Sequence, residues 1–210
     1  MNTQKLYFLA LLLITITFSV VATPQPPLQR STSPYYINDW IKGQITFNGN
    51  TEHENIPLKY NVYDNQLEVK RNGKAVPVKS EGVRGFIIGP PSIGNLARFE
   101  RAQYIDGFDE VSPEQFVQLI YQSESKLMAV HKKQQIDSAK NQYTEAQTTF
   151  YYMSPEGKVT AFEPDKETML KLLVDKQEAV RQFIEAEKID FTSIQDITTV
   201  VAFYDSTGEN

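Results

Sequence analysis

The chain contains no cysteine. That excludes disulfides, thiol nucleophiles, thiolate metal sites and an N-terminal lipidated cysteine. Histidine is scarce: His53 and His131 are the only two. A structural zinc site takes four nitrogen or sulfur ligands at recognisable spacing. Two separated histidines do not supply it, so no metal is expected. His53, in the charged stretch NTEHEN, reads as solvated surface, and His131, in AVHKK, as surface or a strand end. Basic charge is not in excess either, with 21 Lys and Arg against 26 Asp and Glu, a net charge of −5. A nucleic-acid binder would show a basic field. A Gly-x-Ser-x-Gly elbow, a Walker A loop and a Gly-x-Gly-x-x-Gly fingerprint are all missing. No nucleotide or other cofactor is expected, and no catalytic residue declares itself.

Long apolar runs are confined to one place. Leu6 to Ala22 is uncharged, follows Lys5 and precedes the proline-rich TPQPPLQRSTSP. This pattern predicts a secretory signal peptide over residues 1–22, cut after Ala22, with Val20 and Ala22 meeting the small-residue rule. The competing expectation is a retained anchor, since the run is near the lower limit of roughly 17–25 residues for a spanning helix. After cleavage no integral membrane span is expected. An exported chain without disulfides rests on its core alone, which suits the periplasm or cell surface of a Gram-negative bacterium. Residues 23–38, with Pro24, Pro26, Pro27 and Pro34, read as a flexible leader. Residues 39–210 then form a single domain.

From Gly43 the apolar residues recur at every second position. GQITF puts Ile45 and Phe47 on one face, IPLKYNVY aligns Leu58, Tyr60 and Val62, and QLEVK aligns Leu67 and Val69. Asn48-Gly49, Asp64-Asn65 and Asn72-Gly73 separate these runs and tolerate the left-handed torsions of tight turns. The phase break at Tyr63 is therefore a turn, and the segment is a meander of antiparallel strands. Pro57 and Pro77 belong at strand ends, edges or bulges. GPPSIGN, 89–95, is a loop by composition. FVQLIYQ and KLMAVHKK predict a hairpin broken at Ser123–Ser125, with one long helix as the alternative. Residues 134–147 read as a polar excursion, and TTFYYMS, PEG and KVTAFE as a late hairpin.

Beyond Phe162 the period becomes 3.6. Pro164 suits a first helical turn, and Met169, Leu170, Leu172 and Leu173 make a stripe. Asp175 with Glu178 predicts a capped second helix burying Ala179, Val180, Phe183 and Ile184. Thr192 with Gln195 predicts a third carrying Ile194, Ile197, Val201 and Tyr204. The fold class is α+β: a mainly antiparallel sheet or partly open barrel, with two to three C-terminal helices from about residue 164 packed on it.

The acidic stretch YIDGFDEVSPEQF offers Asp106, Asp109 and Glu110 as a carboxylate set. It lacks the alternating ligands and distal glutamate of an EF-hand. Aromatics stand above background, with 11 Tyr, 12 Phe and a single Trp. Tyr35, Tyr36 and Trp40 cluster ahead of the strands and are the expected binding residues, since exposed rings stack on sugars or anchor a protein partner.

GQITFNGN with IPLKYNVYDNQLEV resembles the pattern of an exported bacterial family of about this size whose members have no assigned activity. In that family a glycine-led strand precedes a Tyr-Asn-centred strand that turns into the next. The C-terminal LLKLLVDKQEAVRQFIEAEKIDF and DITTVVAFYDS are similar to its closing helical segment. The resemblance covers most of the mature chain and carries over no catalytic or ligand residues. The expected function is a non-catalytic envelope or cell-surface binding or structural module engaging an envelope protein or glycan. The alternatives are a hydrolase acting on a surface polymer through Asp106, Asp109 and Glu110, or a carrier of an apolar ligand if the sheet encloses a hollow.

Overall fold

The computed structural model describes residues 30–88 and 96–207. The signal-peptide segment, the first part of the leader and the 89–95 loop lie outside the described residues.

Alternating apolar residues and Asn-Gly turns give ten strands of one antiparallel sheet. In chain order they begin with β2 (Ile41–Phe47), β3 (Glu52–Asn61), β4 (Gln66–Arg71), β5 (Lys74–Pro77) and β6 (Val83–Ile88). They continue with β7 (Ala97–Arg101), β8 (Phe116–Gln122), β9 (Lys126–Lys132), β12 (Gln147–Met153) and β13 (Val159–Phe162). The spatial order is β13-β12-β9-β8-β7-β6-β2-β3-β4-β5. The sheet is open, with β13 and β5 as its edges. The hairpin expectation for 116–132 therefore stands over the single helix, because a meander pairs both runs with neighbours on each side.

The polar excursion differs from expectation. Gln135–Asp137 (β10) and Gln142–Thr144 (β11) pair antiparallel, and β11 also pairs with Arg30–Ser31 (β1). The second half of the leader is therefore paired too. Tyr35 bridges Asn61, the Tyr36 amide donates to the Tyr60 carbonyl at 2.9 Å, and Val62 donates to Pro34 at 2.9 Å. Pro34 needs no donor to accept that bond, so a proline-rich look was compatible with an edge segment.

The sheet curls. Tyr60 on β3 and Phe116 on β8 have β2, β6 and β7 between them, which in a flat sheet means about 19 Å. Their ring centroids lie 5.7 Å apart. Tyr60 also meets Phe86 at 5.3 Å and Phe99 at 5.1 Å. The curl thus closes round a fully buried aromatic plug of Tyr60, Phe86, Phe99 and Phe116. Polar groups lock it. Asn65 Oδ1 accepts from the Tyr60 hydroxyl at 2.9 Å and from the Phe116 amide at 3.1 Å, and Asn65 Nδ2 donates to the Glu114 carbonyl. Asn65 can do so because it takes a left-handed φ of 51° in the β3–β4 turn. Buried Arg101 donates to the carbonyls of Val83 and Glu114 while its guanidinium lies 4.2 Å from the Phe116 ring centre. Burial lowers its pKa.

On the opposite face of β8, β9 and β12, the 102–111 segment covers Val117, Met128, Val130 and Tyr151 with Ala102, Ile105 and Phe108. The helices cover the other side of the same strands. They are α1 (Lys166–Leu172), α2 (Gln177–Glu187) and α3 (Ile194–Ser206). Leu127, Tyr152 and Phe162 meet Met169, Leu173, Val180, Ile184, Ile197 and Val201. The caps shift from those expected. Asp165 caps α1 and Ser193 caps α3, each accepting from the backbone three residues on. Asp175 is taken instead by the Tyr204 hydroxyl at 3.0 Å, leaving α2 without a side-chain cap. Ala179 is exposed; Val180 and Ile184 carry the buried face, and Phe183 stacks on Phe203 at 4.1 Å.

Candidate functional site: the open end of the curled sheet

The aromatic plug fills the middle of the curl but not its end. Two short turns and one connection frame that end. Asn48-Gly49-Asn50 turns β2 into β3, with φ of 87° at Gly49 and 62° at Asn50. Asn72-Gly73 turns β4 into β5, both in the left-handed region that a tight hairpin needs. The chain then crosses from β5 to β6. Val78 donates to the Leu67 carbonyl at 2.8 Å, and Asn48 bonds the carbonyls of Gly82 and Glu81 at 2.9 and 2.7 Å.

Between these parts lies a groove of about 650 Å³. Ile45, Phe47 and Ile56 form one wall, and Val69, Val76 and Val78 the other. The period-two beat delivers these residues to the inner face, and the plug stops short of them. His53, exposed, sets its ring against Phe47 at 5.2 Å. The rim is cationic: exposed Arg71 and Lys79 line it, while the Lys70 side chain turns to the other face of β4, toward Trp40. Among the described residues, no carboxylate and no hydroxyl side chain lines the groove. Among the described residues, none of these three cations is in an ion pair. Lys70 Nζ lies 6.0 Å from the Trp40 ring. Apolar walls with a few charged groups at the mouth hold and orient a ligand. A lone histidine without a nucleophile or an orienting acid does not make an acyl-transfer site.

The three aromatic residues expected to bind do not share one face. Trp40 and Tyr35 share Lys59, whose Nζ sits 5.1 Å from the Trp40 ring and 4.7 Å from that of Tyr35. Tyr35 donates to Glu68 at 3.0 Å; burial and that bond push its phenol up to about 12. Tyr36 points the other way, edge-on to Phe99 at 5.2 Å and 5.1 Å from the His131 ring. The chain alternates at Tyr35–Tyr36 as it pairs with β3, so neighbouring rings must part. No family model matches this chain, and no curated protein or solved structure matches it.

The carboxylates Asp106, Asp109 and Glu110 are all exposed on the segment after β7. Asp106 and Asp109 border a shallow depression, and Glu110 does not line it. Among the described residues no group of three His, Asp or Glu side chains is placed to hold a metal ion. Nor is any helix among them long and apolar enough to cross a membrane.

His131 stands at the strand end expected of it, next to the last residue of β9, but the surface alternative is corrected: it is buried, 6 % exposed. Its Nε2 bonds Gln118 Oε1 at 2.7 Å and its Nδ1 bonds Thr148 Oγ1 at 2.9 Å. With a carbonyl oxygen on Nε2, that nitrogen carries the proton and Nδ1 accepts from the threonine. The cation-rich flank HKK suggested surface, but the strand alternates and sends Lys132 outward and His131 in. Burial pushes the imidazole down to about 4. Protonation is therefore favoured in the unfolded chain, and stability is lost as pH falls from about 6.5 to 4, by about 3 kcal/mol. Urea unfolding at pH 7, 5.5 and 4 should show this slope, and His131→Gln should flatten it over that window. An identical slope in the variant would refute the assignment.

The sequence left the groove unnoticed. Its signal is KRNGKAVPVK, a short apolar strand flanked by cations, which is indistinguishable from a solvated hairpin edge until the curl places Phe47 and Ile56 opposite.

Proposed function

We propose that this chain is an exported, non-catalytic binding module of the cell envelope that takes its ligand at the open end of the curled sheet. The groove carries this reading. It is large enough for a small molecule or a single lipid chain, within the range of about 300–1,000 Å³ typical of ligand sites. Its walls are aliphatic and aromatic, and its charges are confined to the mouth. The apolar-ligand alternative gains from this, although the sheet need not close to provide it. The hydrolase alternative loses support, because its three carboxylates stand in solvent rather than facing each other across a cleft. The partner-capturing role of Trp40, Tyr35 and Tyr36 narrows to Trp40 and Tyr35, which share Lys59 on the face of β3 and β4 opposite the groove. Export rests on the Leu6–Ala22 run and its flanks.

Filling the groove tests the reading. Val76→Phe should weaken binding of a neutral apolar dye, N-phenyl-1-naphthylamine, at least tenfold without lowering the melting temperature. Undiminished binding by a folded variant sinks the groove as the site. For the export half, the N-terminus of the cell-fractionated protein should be Thr23; a soluble cytoplasmic chain retaining Met1 sinks it.

A further inference from the structure

We infer that the groove takes a single-chain amphiphile with a carboxylate head, a long-chain monocarboxylic acid in its free form; this rests on the binding role proposed for the groove. Charge distribution is the first argument. A chain of net charge −5 sets Arg71 and Lys79 at its apolar groove, and among the described residues no acid lines it. Cations placed at random on such a surface would sit among more numerous carboxylates. Here an anion at the mouth would find the two cations Arg71 and Lys79.

Position is the second argument. The cations stand on the β4–β5 side, at the end of β4 and just past β5. The apolar wall of Ile45, Phe47 and Ile56 faces them across the groove. A ligand held at the mouth by its head thus lays its tail against β2 and β3. Arg71 offers the planar fork that matches a carboxylate through two parallel N–H···O bonds, while Lys79 acts as a point charge. Strand addition by a peptide is disfavoured at the adjoining edge, because β5 is four residues long, starts at Lys74 and ends at Pro77.

Calorimetry supplies the readout. The mature chain is titrated with monomeric dodecanoate, dodecanol and dodecyltrimethylammonium. Dodecanoate should bind at least tenfold tighter than dodecanol, with the ammonium weakest. Each further methylene in the acid series should tighten binding about fourfold. Arg71→Gln with Lys79→Gln should bring dodecanoate down to the level of dodecanol and leave dodecanol unchanged. Both positions are exposed, so the fold is not at stake. Equal affinity for acid and alcohol overturns the head-group inference and leaves the groove standing. If none of the three binds, the groove reading falls with it. Binding only to phosphatidylglycerol vesicles overturns the inference in favour of a lipid surface.

Discussion

Gly43→Ala is expected to cost about 3–4 kcal/mol, at the upper end of what overpacking does. A Cβ at Gly43 would lie 2.2 Å from the Ile87 carbonyl oxygen and 2.7 Å from Leu58 Cδ1. The first is backbone, so relief requires β2 and β6 to move apart where they begin to pair, at Gln44 opposite Ile87. The register also shifts between Gly43 and Ile45 against β3, marking a bulge. Bulges and glycines are how a sheet bends. A second close approach stands at Gly85, where a Cβ would sit 2.5 Å from the Phe99 carbonyl. Gly82→Ala is the control: its nearest obstacle is Phe47 Cδ1 at 3.8 Å, an ordinary contact. It should cost less than about 1 kcal/mol. Urea melts of the two variants check this, and equal stabilities would refute the bend at Gly43.

Asp205→Ala should cost about 3–5 kcal/mol, because it strands the amide and hydroxyl of fully buried Ser125. Asp205 sits near the C-terminal end of α3 and is 6 % exposed. A carboxylate is disfavoured there by the helix dipole. It persists because the β8–β9 turn feeds it. Ser125 donates its amide at 3.1 Å and its hydroxyl at 2.7 Å, and the Tyr121 hydroxyl adds a third bond at 3.1 Å. Ser125, fully buried, in turn meets the Tyr152 hydroxyl at 3.0 Å. The network fastens the helical layer to the sheet at one point. Removing the carboxylate should loosen α3 before the aromatic plug. Limited proteolysis should then cut within α3 first, and chemical denaturation gives the total. A loss below about 1 kcal/mol would show that the network contributes little.

Much of the architecture was legible because it is periodic. The beat of Leu58, Tyr60 and Val62, the Asn-Gly pairs and the change of period after Phe162 are local properties, and the strands of the meander and the closing helices follow from them, whereas β1, β10 and β11 do not. Caps were legible only to within a residue or so, since Asp165, Asp175, Thr192 and Ser193 are chemically equivalent candidates. Which one caps depends on what else competes for it, and Tyr204 takes Asp175. Which way individual side chains face was less legible. Tyr35 and Tyr36 are adjacent in sequence, yet pairing with β3 sends them to opposite faces. His131 looks like its charged neighbours but is buried by the parity of its strand.

By itself, then, the amino-acid order determined the compartment expectation, the antiparallel strands and the helical closing layer, because turn chemistry and hydrophobic period act over a few residues. Only the tertiary structure decided the curl, the aromatic plug, the polar anchor at Asp205 and the cation-rimmed groove. Each of these joins residues tens of positions apart, through strands whose separation collapses when the sheet bends at Gly43 and Gly85. That distance depends on the bend, which no local pattern encodes.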